Sequence, residues 1–345
     1  MSLRSEIHEQ PAVLEGLLRA SKDHADEIAR TIKKRGVPSI FLAARGTSDN
    51  AGLYAKYLWG SMNRLPVALA APSLFTTYQT PPSIQGSLVV GISQSGQSPD
   101  IVSVVAEGRR QGALTLAITN DPASPLAGEA DMVLETMAGP ERSIAATKTY
   151  TTQLLAIALL SVAMRGEVEQ FEALTSIPEL IGKTLALEPV IEQAAQRYRY
   201  MSQCVVIGRG YNYATAYEWS LKLKELTYVV AEPYSSADFQ HGPIAIVSDG
   251  FPVLAVVPQG AVCEEVSSML SNLVEERMAE LVAVSNDPKI LDLATTAIPL
   301  PDDLPEWISP LVGIVPAQLF CYHLTRAKGH NTEKPRGLNK VTRTW

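Results

Sequence analysis

The sequence predicts an α/β chain of two tandem subdomains, each a doubly wound parallel sheet, related by internal duplication. Three observations carry this reading. Short apolar strands alternate with helical segments, which is the pattern of a parallel sheet. Three strand-and-turn segments recur at a nearly constant offset. The composition is 46% hydrophobic, 19% charged and 6% aromatic, so the core has to be aliphatic, as where buried strands read Val, Ile and Leu. A length of 345 residues at roughly 150 per domain agrees with two units.

The repeat pairs Ser39–Gly46 with Cys204–Gly210. Each is an apolar strand ending in Arg-Gly, and 164 residues separate Gly46 from Gly210. Leu88–Gly96 pairs with Val253–Gly260, again with 164 residues between the two glycines. Asn120-Asp121-Pro122 pairs with Asn286-Asp287-Pro288 at an offset of 166. In the first copy, strand Ile40–Ala44 precedes a helix near Asp49–Trp59. Strand Leu88–Ile92 precedes a helix over Pro99–Gln111, and strand Leu114–Thr119 ends in the Asn-Asp-Pro turn. Between the copies, Thr147–Val162 and Leu185–Tyr200 read as helices. The division is an N-terminal helical segment at 1–35, a first subdomain at 36–175, a second at 195–330 and a tail at 331–345.

The 29 Lys and Arg against 36 Asp and Glu leave a net charge of −7. Such a chain has no general attraction for nucleic acid or an anionic membrane. Cys204, Cys263 and Cys321 are widely spaced and odd in number, which suits neither a disulfide framework nor a zinc site and fits a reducing compartment. The start, Met1 to Glu6, lacks the apolar stretch of a signal peptide. The longest apolar run, Leu154–Met164, is about half of the ~20 residues a span requires. The expectation is a cytoplasmic protein with no membrane or nucleic-acid partner.

Ligands of doubly wound sheets bind beyond the carboxyl ends of the strands. There the first copy reads Ser93-Gln94-Ser95-Gly96-Gln97-Ser98-Pro99-Asp100. Ser98 suits an N-cap and Pro99 the first helical position. Backbone N–H groups at a helix start, joined by hydroxyls, make a phosphate cradle without a cationic side chain. Thr47 and Ser48 add hydroxyls after the first strand. The second copy reads Val257-Pro258-Gln259-Gly260-Ala261, without hydroxyls, so one phosphate site per chain is expected, in the first copy. Gly208-Arg209-Gly210-Tyr211-Asn212-Tyr213 lacks the third glycine of a dinucleotide fingerprint.

For chemistry, Tyr217–Val230 reads as a helix on which Lys222 and Glu225 share a face, with Glu218 one turn above. His241, between that helix and the next apolar strand, is an acid–base candidate. Lys340 lies in a basic tail that Pro335 and Gly337 keep from being helical. Each has a plainer reading: a surface ion pair, a structural histidine and a frayed tail.

Five blocks together resemble the sugar isomerase (SIS) domain family. They are Arg45-Gly46-Thr47-Ser48; Ser93-Gln94-Ser95-Gly96; Ala145-Ala146-Thr147-Lys148 with Thr151-Thr152-Gln153-Leu154; the Leu221–Glu225 helix with His241-Gly242-Pro243; and Lys334-Pro335-Arg336. The pattern is similar to the double-SIS isomerase half of the glutamine–fructose-6-phosphate aminotransferases, and more so to the glutaminase-free SIS-type glucosamine-6-phosphate deaminases. The resemblance implies flavodoxin-like subdomains and a sugar-phosphate substrate. It implies that Ser93, Gln94, Ser95 and Ser98 hold the phosphate, that Thr47 and Ser48 assist, and that Ile144 contacts the sugar through its backbone. Glu225 matches the family's base between C1 and C2, and Lys222 its lysine supporting proton transfer at oxygen. Lys340 matches the tail lysine at the sugar carbonyl. His241 matches the ring-opening histidine, which in the family serves the neighbouring subunit, so a homodimer is implied. No cofactor or metal is implied.

Two positions depart from the family: Arg45 replaces a usual small residue, and Ala146 a ligand-contacting serine. The sequence also has no cysteine before Cys204, so no glutaminase activity is expected. The implied activity is deamination of glucosamine 6-phosphate to fructose 6-phosphate and ammonia. The alternatives are a phosphorylated-fructosamine deglycase or ketosamine isomerase, a synthase-like enzyme using free ammonia, and a non-catalytic phosphosugar-binding regulator.

Overall fold

The computed structural model describes residues 2–340. In chain order, the helices used below are α1 (Leu3–His8), α2 (Gln10–Arg35), α3 (Thr47–Asn63), α4 (Pro99–Arg110), α5 (Lys148–Arg165), α6 (Glu188–Arg197), α7 (Tyr213–Lys222), α8 (Ser236–Gln240), α9 (Cys263–Glu275) and α10 (Ser309–Ala327). The strands are β1 (Ile40–Ala43), β2 (Val67–Leu69), β3 (Leu88–Ser93), β4 (Leu114–Thr119), β5 (Met132–Glu135), β6 (Gln203–Gly208), β7 (Val230–Ser235), β8 (Pro252–Val256), β9 (Glu280–Ser285) and β10 (Thr296–Pro299).

The described chain forms two compact units. One comprises residues 12–141, 148–176 and 339–340; the other comprises 2–11, 142–147 and 177–338. Each holds a five-stranded, wholly parallel sheet, ordered β2-β1-β3-β4-β5 in the first and β10-β9-β8-β6-β7 in the second. Numbered from the start of each copy, both follow the order 2-1-3-4-5. The duplication expected from the repeat is therefore present at the level of topology.

The central strands are buried throughout. Leu88 to Ser93 are all buried, as are Pro252 to Val256. Such strands tolerate apolar residues on both faces because helices cover both. In the first unit Ile101, Val104 and Val105 of α4 pack on Val89 and Ala117. In the second, Val266, Leu270 and Leu273 of α9 pack on Val253 and Ala255.

Two predicted helices differ in detail. The expected helix Leu185–Tyr200 breaks: one helix ends at Leu185, α6 restarts at Glu188, and Tyr198–Tyr200 tighten into a 3₁₀ turn. Pro189, in the first turn of α6, has no N–H for a continuous ladder and suits a helix start. The expected helix Tyr217–Val230 instead starts at Tyr213, passes into a π-helical turn over Leu223–Thr227, and stops at Tyr228, whose φ is +58°. Val230 already belongs to β7. The expectation that Leu154–Met164 is the longest apolar run is also corrected, because α10 is a longer apolar segment. By length and composition alone it would suffice to cross a membrane, but 94% of its apolar window is buried inside the fold.

The tail from His330 to Lys340 contains no helix. Val341 to Trp345, the remainder of the predicted tail, lie outside the described residues.

Candidate active site

In the unit of the first sheet, the turn after β1 enters α3 through Gly46 at φ +54°, a conformation suited to glycine. Thr47 and Ser48 occupy the first turn of α3. Ser48 is buried, and its Oγ accepts from Gln153 Nε2 at 3.0 Å. Its own proton is then left to donate.

The Ser93–Ser98 turn after β3 is held by its own hydroxyls. Ser93 Oγ accepts from the Gly96 amide at 3.1 Å, and Ser95 Oγ from the Gln97 amide at 3.3 Å. Two backbone bonds anchor it from below, Asn120 N to Gln94 O at 3.2 Å and Leu126 N to Gly96 O at 3.1 Å. Gly96 has φ +61°, and a Cβ there would lie 2.1 Å from Ser124 Oγ. Ser98 is the N-cap of α4 as expected, yet its side chain makes no capping bond. The turn thus presents hydroxyls and helix-start amides together, the chemistry of an anion cradle.

Arg45 has a structural partner. Its Nε lies 2.7 Å from Oδ2 of Asp100, whose side chain is 1% exposed. The pair ties the turn after β1 to the first turn of α4, which accounts for an arginine at this place. The second copy repeats the device: Arg209, after β6, pairs with Glu265 in the first turn of α9.

Lys340 also lies in this unit. Its Nζ meets Glu141 Oε2 at 2.6 Å. Glu141 is buried and further accepts from the Thr149 amide at 3.1 Å and the Thr149 hydroxyl at 2.7 Å. The tail lysine is therefore seated on a fixed carboxylate. Glu141 is absent from the predicted site, because nothing in the sequence links it to a residue 199 positions away.

The unit of the second sheet holds the remaining candidates. The i, i+4 spacing of α7 places Glu218 and Lys222 on one face. Lys222 Nζ lies 3.4 Å from Glu218 Oε1 and 2.5 Å from Glu225 Oε2. Lys222 is 2% exposed and Glu218 fully enclosed, while the Glu225 side chain keeps 24% exposure. Burying an ammonium is costly unless it is paired, so the two carboxylates are what allow Lys222 to sit there charged. Burial pushes the thiol of Cys321 in α10 well above the usual range, with the nearby Lys222 ammonium offsetting part of that rise. The π-turn carries Glu225, and π-turns inside helices recur at functional sites. The plainer reading of an exposed surface ion pair is thereby replaced. Glu218 is the second residue the predicted site lacks, although its place one turn above Lys222 is visible in the sequence.

His241 caps the C-terminus of α8, where its amide donates to Asp238 O at 3.1 Å. The residue is exposed, and its ring makes no hydrogen bond or ion pair among the described residues. Ile144, half-buried, lies in the segment 142–147 of this unit. Two neighbouring amides, Arg142 N at 2.6 Å and Ser143 N at 3.3 Å, donate to Glu6 Oε1 of α1, which fixes the backbone beside Ile144.

These features can be set against known proteins. A family model described as SIS domain matches residues 32–163 and 200–325, well over half of the chain. The chain belongs to the SIS domain family. This SIS chain is 35% identical over 342 residues to a glutamine–fructose-6-phosphate aminotransferase (isomerizing) of Pyrococcus horikoshii, covering 97% of the chain and 56% of that protein. It thus spans somewhat over half the length of the curated relatives it matches. Among solved structures, the C-terminal domain of the Francisella tularensis glucosamine-fructose-6-phosphate aminotransferase superposes with a TM-score of 0.87 at 30% identity, covering 96% of this chain and 98% of that one. A Thermotoga maritima glucosamine-6-phosphate deaminase superposes with a TM-score of 0.79 at 22% identity over 100% of both chains. At that identity the likeness is one of fold.

Proposed function

We propose that this SIS chain is an enzyme of sugar-phosphate isomerisation acting on an amino-sugar phosphate, with deamination of glucosamine 6-phosphate as its reaction. The observation that carries the proposal is the buried Lys222 between Glu218 and Glu225. A protein that only bound a sugar phosphate would have no need of a carboxylate poised beside an enclosed ammonium. The matches to aminotransferase isomerase halves support the substrate class. A cytoplasmic location goes with this reading, and the free, buried thiols of Cys204, Cys263 and Cys321 suit it.

In this reading the phosphate rests on Ser93, Gln94, Ser95 and Ser98, with Thr47 and Ser48 alongside and the Ile144 backbone against the sugar. His241 assists ring opening. Glu225 removes the C2 proton of the open-chain amino aldehyde while the Lys222 ammonium donates a proton to the C1 oxygen, leaving a neutral enolamine with a hydroxyl at C1. Lys222 stabilises that oxygen, because a cation in an enclosed place acts where charge develops. Glu225 then delivers the proton to C1, which leaves an iminium at C2, and its N–H proton returns to Lys222 to give the imine. Water adds to the imine carbon, the amine leaves as ammonia, and fructose 6-phosphate remains. Lys340, oriented by Glu141, supplies an ammonium or amine at the carbonyl end. C1 is reduced as C2 is oxidised, so the sequence consumes no external oxidant or reductant.

The test is direct. Purified protein is incubated with glucosamine 6-phosphate, and ammonia and fructose 6-phosphate are measured together. Equal release of both supports the proposal. Absence of turnover, with fructose 6-phosphate and ammonium also failing to give the amino sugar, overturns it. Formation of the amino sugar alone would favour the synthase-like alternative, to which the aminotransferase relatives point.

A further inference from the structure

In a sheet ordered 2-1-3-4-5, the ligand crevice opens between the first and third strands, where the order reverses. In the second sheet those strands are β6 and β8. The turn after β6 passes through Gly210 and the turn after β8 through Gly260. Between them stands a carboxylate of the chain itself. Glu306, from the segment joining β10 to α10, accepts from the Ala261 amide through Oε2 at 2.8 Å. Its Oε1 lies 3.9 Å from where a Cβ on Gly210 would be. A Cβ on Gly260, at φ +156°, would lie 2.3 Å from the same carboxylate. Both turns therefore leave room for it. The Arg209–Glu265 pair braces this crevice as Arg45–Asp100 braces the first. The scaffold of the anion crevice is kept in both copies.

We propose that Glu306 is the built-in anion of the second subdomain, its carboxylate occupying the crevice that in the first subdomain receives a phosphate monoester. The inference deepens the proposed function and rests on its reading of the Ser93–Ser98 turn. It explains why the second turn, Pro258-Gln259-Gly260-Ala261, has lost its hydroxyls. A tethered carboxylate is held by its own chain and needs little more than a backbone N–H. The consequence is one phosphosugar per chain, with the second crevice closed to outside anions while Glu306 is in place. Removing the carboxylate opens a site for a small anion, either acetate or inorganic phosphate.

The experiment uses the full chain carrying Ser95→Ala and Ser98→Ala, which silences the first turn. Thermal unfolding is followed in chloride, acetate and inorganic phosphate at equal ionic strength. Glu306→Ala is expected to unfold at lower temperature in chloride and to regain about 2–4 °C in acetate or phosphate, with no such shift in the Glu306 parent. Glu306→Gln keeps the crevice filled without the charge; it is expected to unfold below the parent and to respond little to anions. The inference is overturned if Glu306→Ala shows no anion-specific gain, if the parent gains equally, or if Glu306→Gln matches the parent. Should Glu306→Ala not fold in chloride, its refolding yield in acetate is the readout, and no recovery there overturns the inference as well. Failure of the underlying phosphate reading shows elsewhere. Binding of glucosamine 6-phosphate would then be the same with and without Ser95→Ala and Ser98→Ala, a result that leaves the Glu306 comparison intact.

Discussion

In the proposed mechanism Lys222 couples stability to chemistry. Its ammonium is enclosed with Glu218, and the only partly exposed member of the trio is Glu225. Lys222→Met would leave the two carboxylates without their shared cation, and breaking a buried pair in this way costs about 3–5 kcal/mol. Urea unfolding is expected to show that loss. Glu225→Gln is milder for the fold, because the group it changes reaches solvent. Its expected effect is on turnover of glucosamine 6-phosphate, down by about 10²–10⁴-fold, with the unfolding midpoint lowered less than by Lys222→Met because Glu218 still pairs with Lys222. A Glu225→Gln protein of undiminished turnover would remove the base from the mechanism.

A second carboxylate matters for stability alone. Burial raises the Glu188 carboxyl, but hydrogen bonds from Arg4, His323 and His8 outweigh it and hold the pKa at about 2, below the usual 4.5. A carboxyl depressed on folding stabilises above its unfolded pKa and loses that contribution as the pH falls toward its folded pKa. The contribution at neutral pH is about 3 kcal/mol at 1.36 kcal/mol per unit. Glu188→Gln is expected to be less stable than the parent by that order at pH 7, with the difference closing between about pH 4.5 and 2. A difference independent of pH in urea titrations would contradict the assignment.

At the scale of elements, the proposed site lies in turns, and the sequence shows them unevenly. The Ser93–Ser98 turn is legible because an N-cap serine, a proline and a glycine stand in fixed places after an apolar strand. Gly96 is needed for two reasons at once, its φ of +61° and the 2.1 Å that a Cβ would leave to Ser124 Oγ. Gly96→Ala is therefore expected to distort the turn, weakening glucosamine 6-phosphate binding measured by calorimetry at least tenfold and lowering stability by about 1–3 kcal/mol. Unchanged binding would mean that the phosphate does not use this turn. The π-turn at Leu223–Thr227 is not legible. Its residues suit an ordinary helix, and only the fold shows that the ladder slips there and ends at Tyr228. The edge strand Val67–Leu69 escapes for a different reason. It is three residues long and mostly exposed, so it has neither the length nor the alternation that marks a strand.

At the scale of the whole molecule, duplication is the most legible property. Offsets of 164 between matching Arg-Gly and Gly turns correspond to two sheets of identical order. The repeat even places the Arg45–Asp100 and Arg209–Glu265 pairs at equivalent turns. What the repeat does not reveal is where function diverges, since Lys340 and Glu141 meet only through folding. The proposal that His241 serves a neighbouring copy belongs to this scale. Its exposed ring, unengaged among the described residues, is consistent with that role. Mixing inactive His241→Ala and Glu225→Gln chains after dissociation is expected to restore about a quarter of the activity through hybrid dimers, a fraction set by random pairing with one intact site per hybrid. No recovery, or a monomer of full activity by light scattering, would place His241 in its own chain's site.

The central claim is that Glu225 moves a proton between C1 and C2 of a sugar phosphate, whatever the net direction of the reaction. Solvent exchange tests it without depending on ammonia. Fructose 6-phosphate is incubated in deuterated water and deuterium at C1 is followed by NMR. The wild-type chain is expected to exchange one C1 hydrogen stereospecifically, and Glu225→Gln to slow that exchange by about 10²-fold or more. Exchange at the wild-type rate in the variant, or none in the wild-type chain with fructose 6-phosphate and glucosamine 6-phosphate alike, would contradict the account.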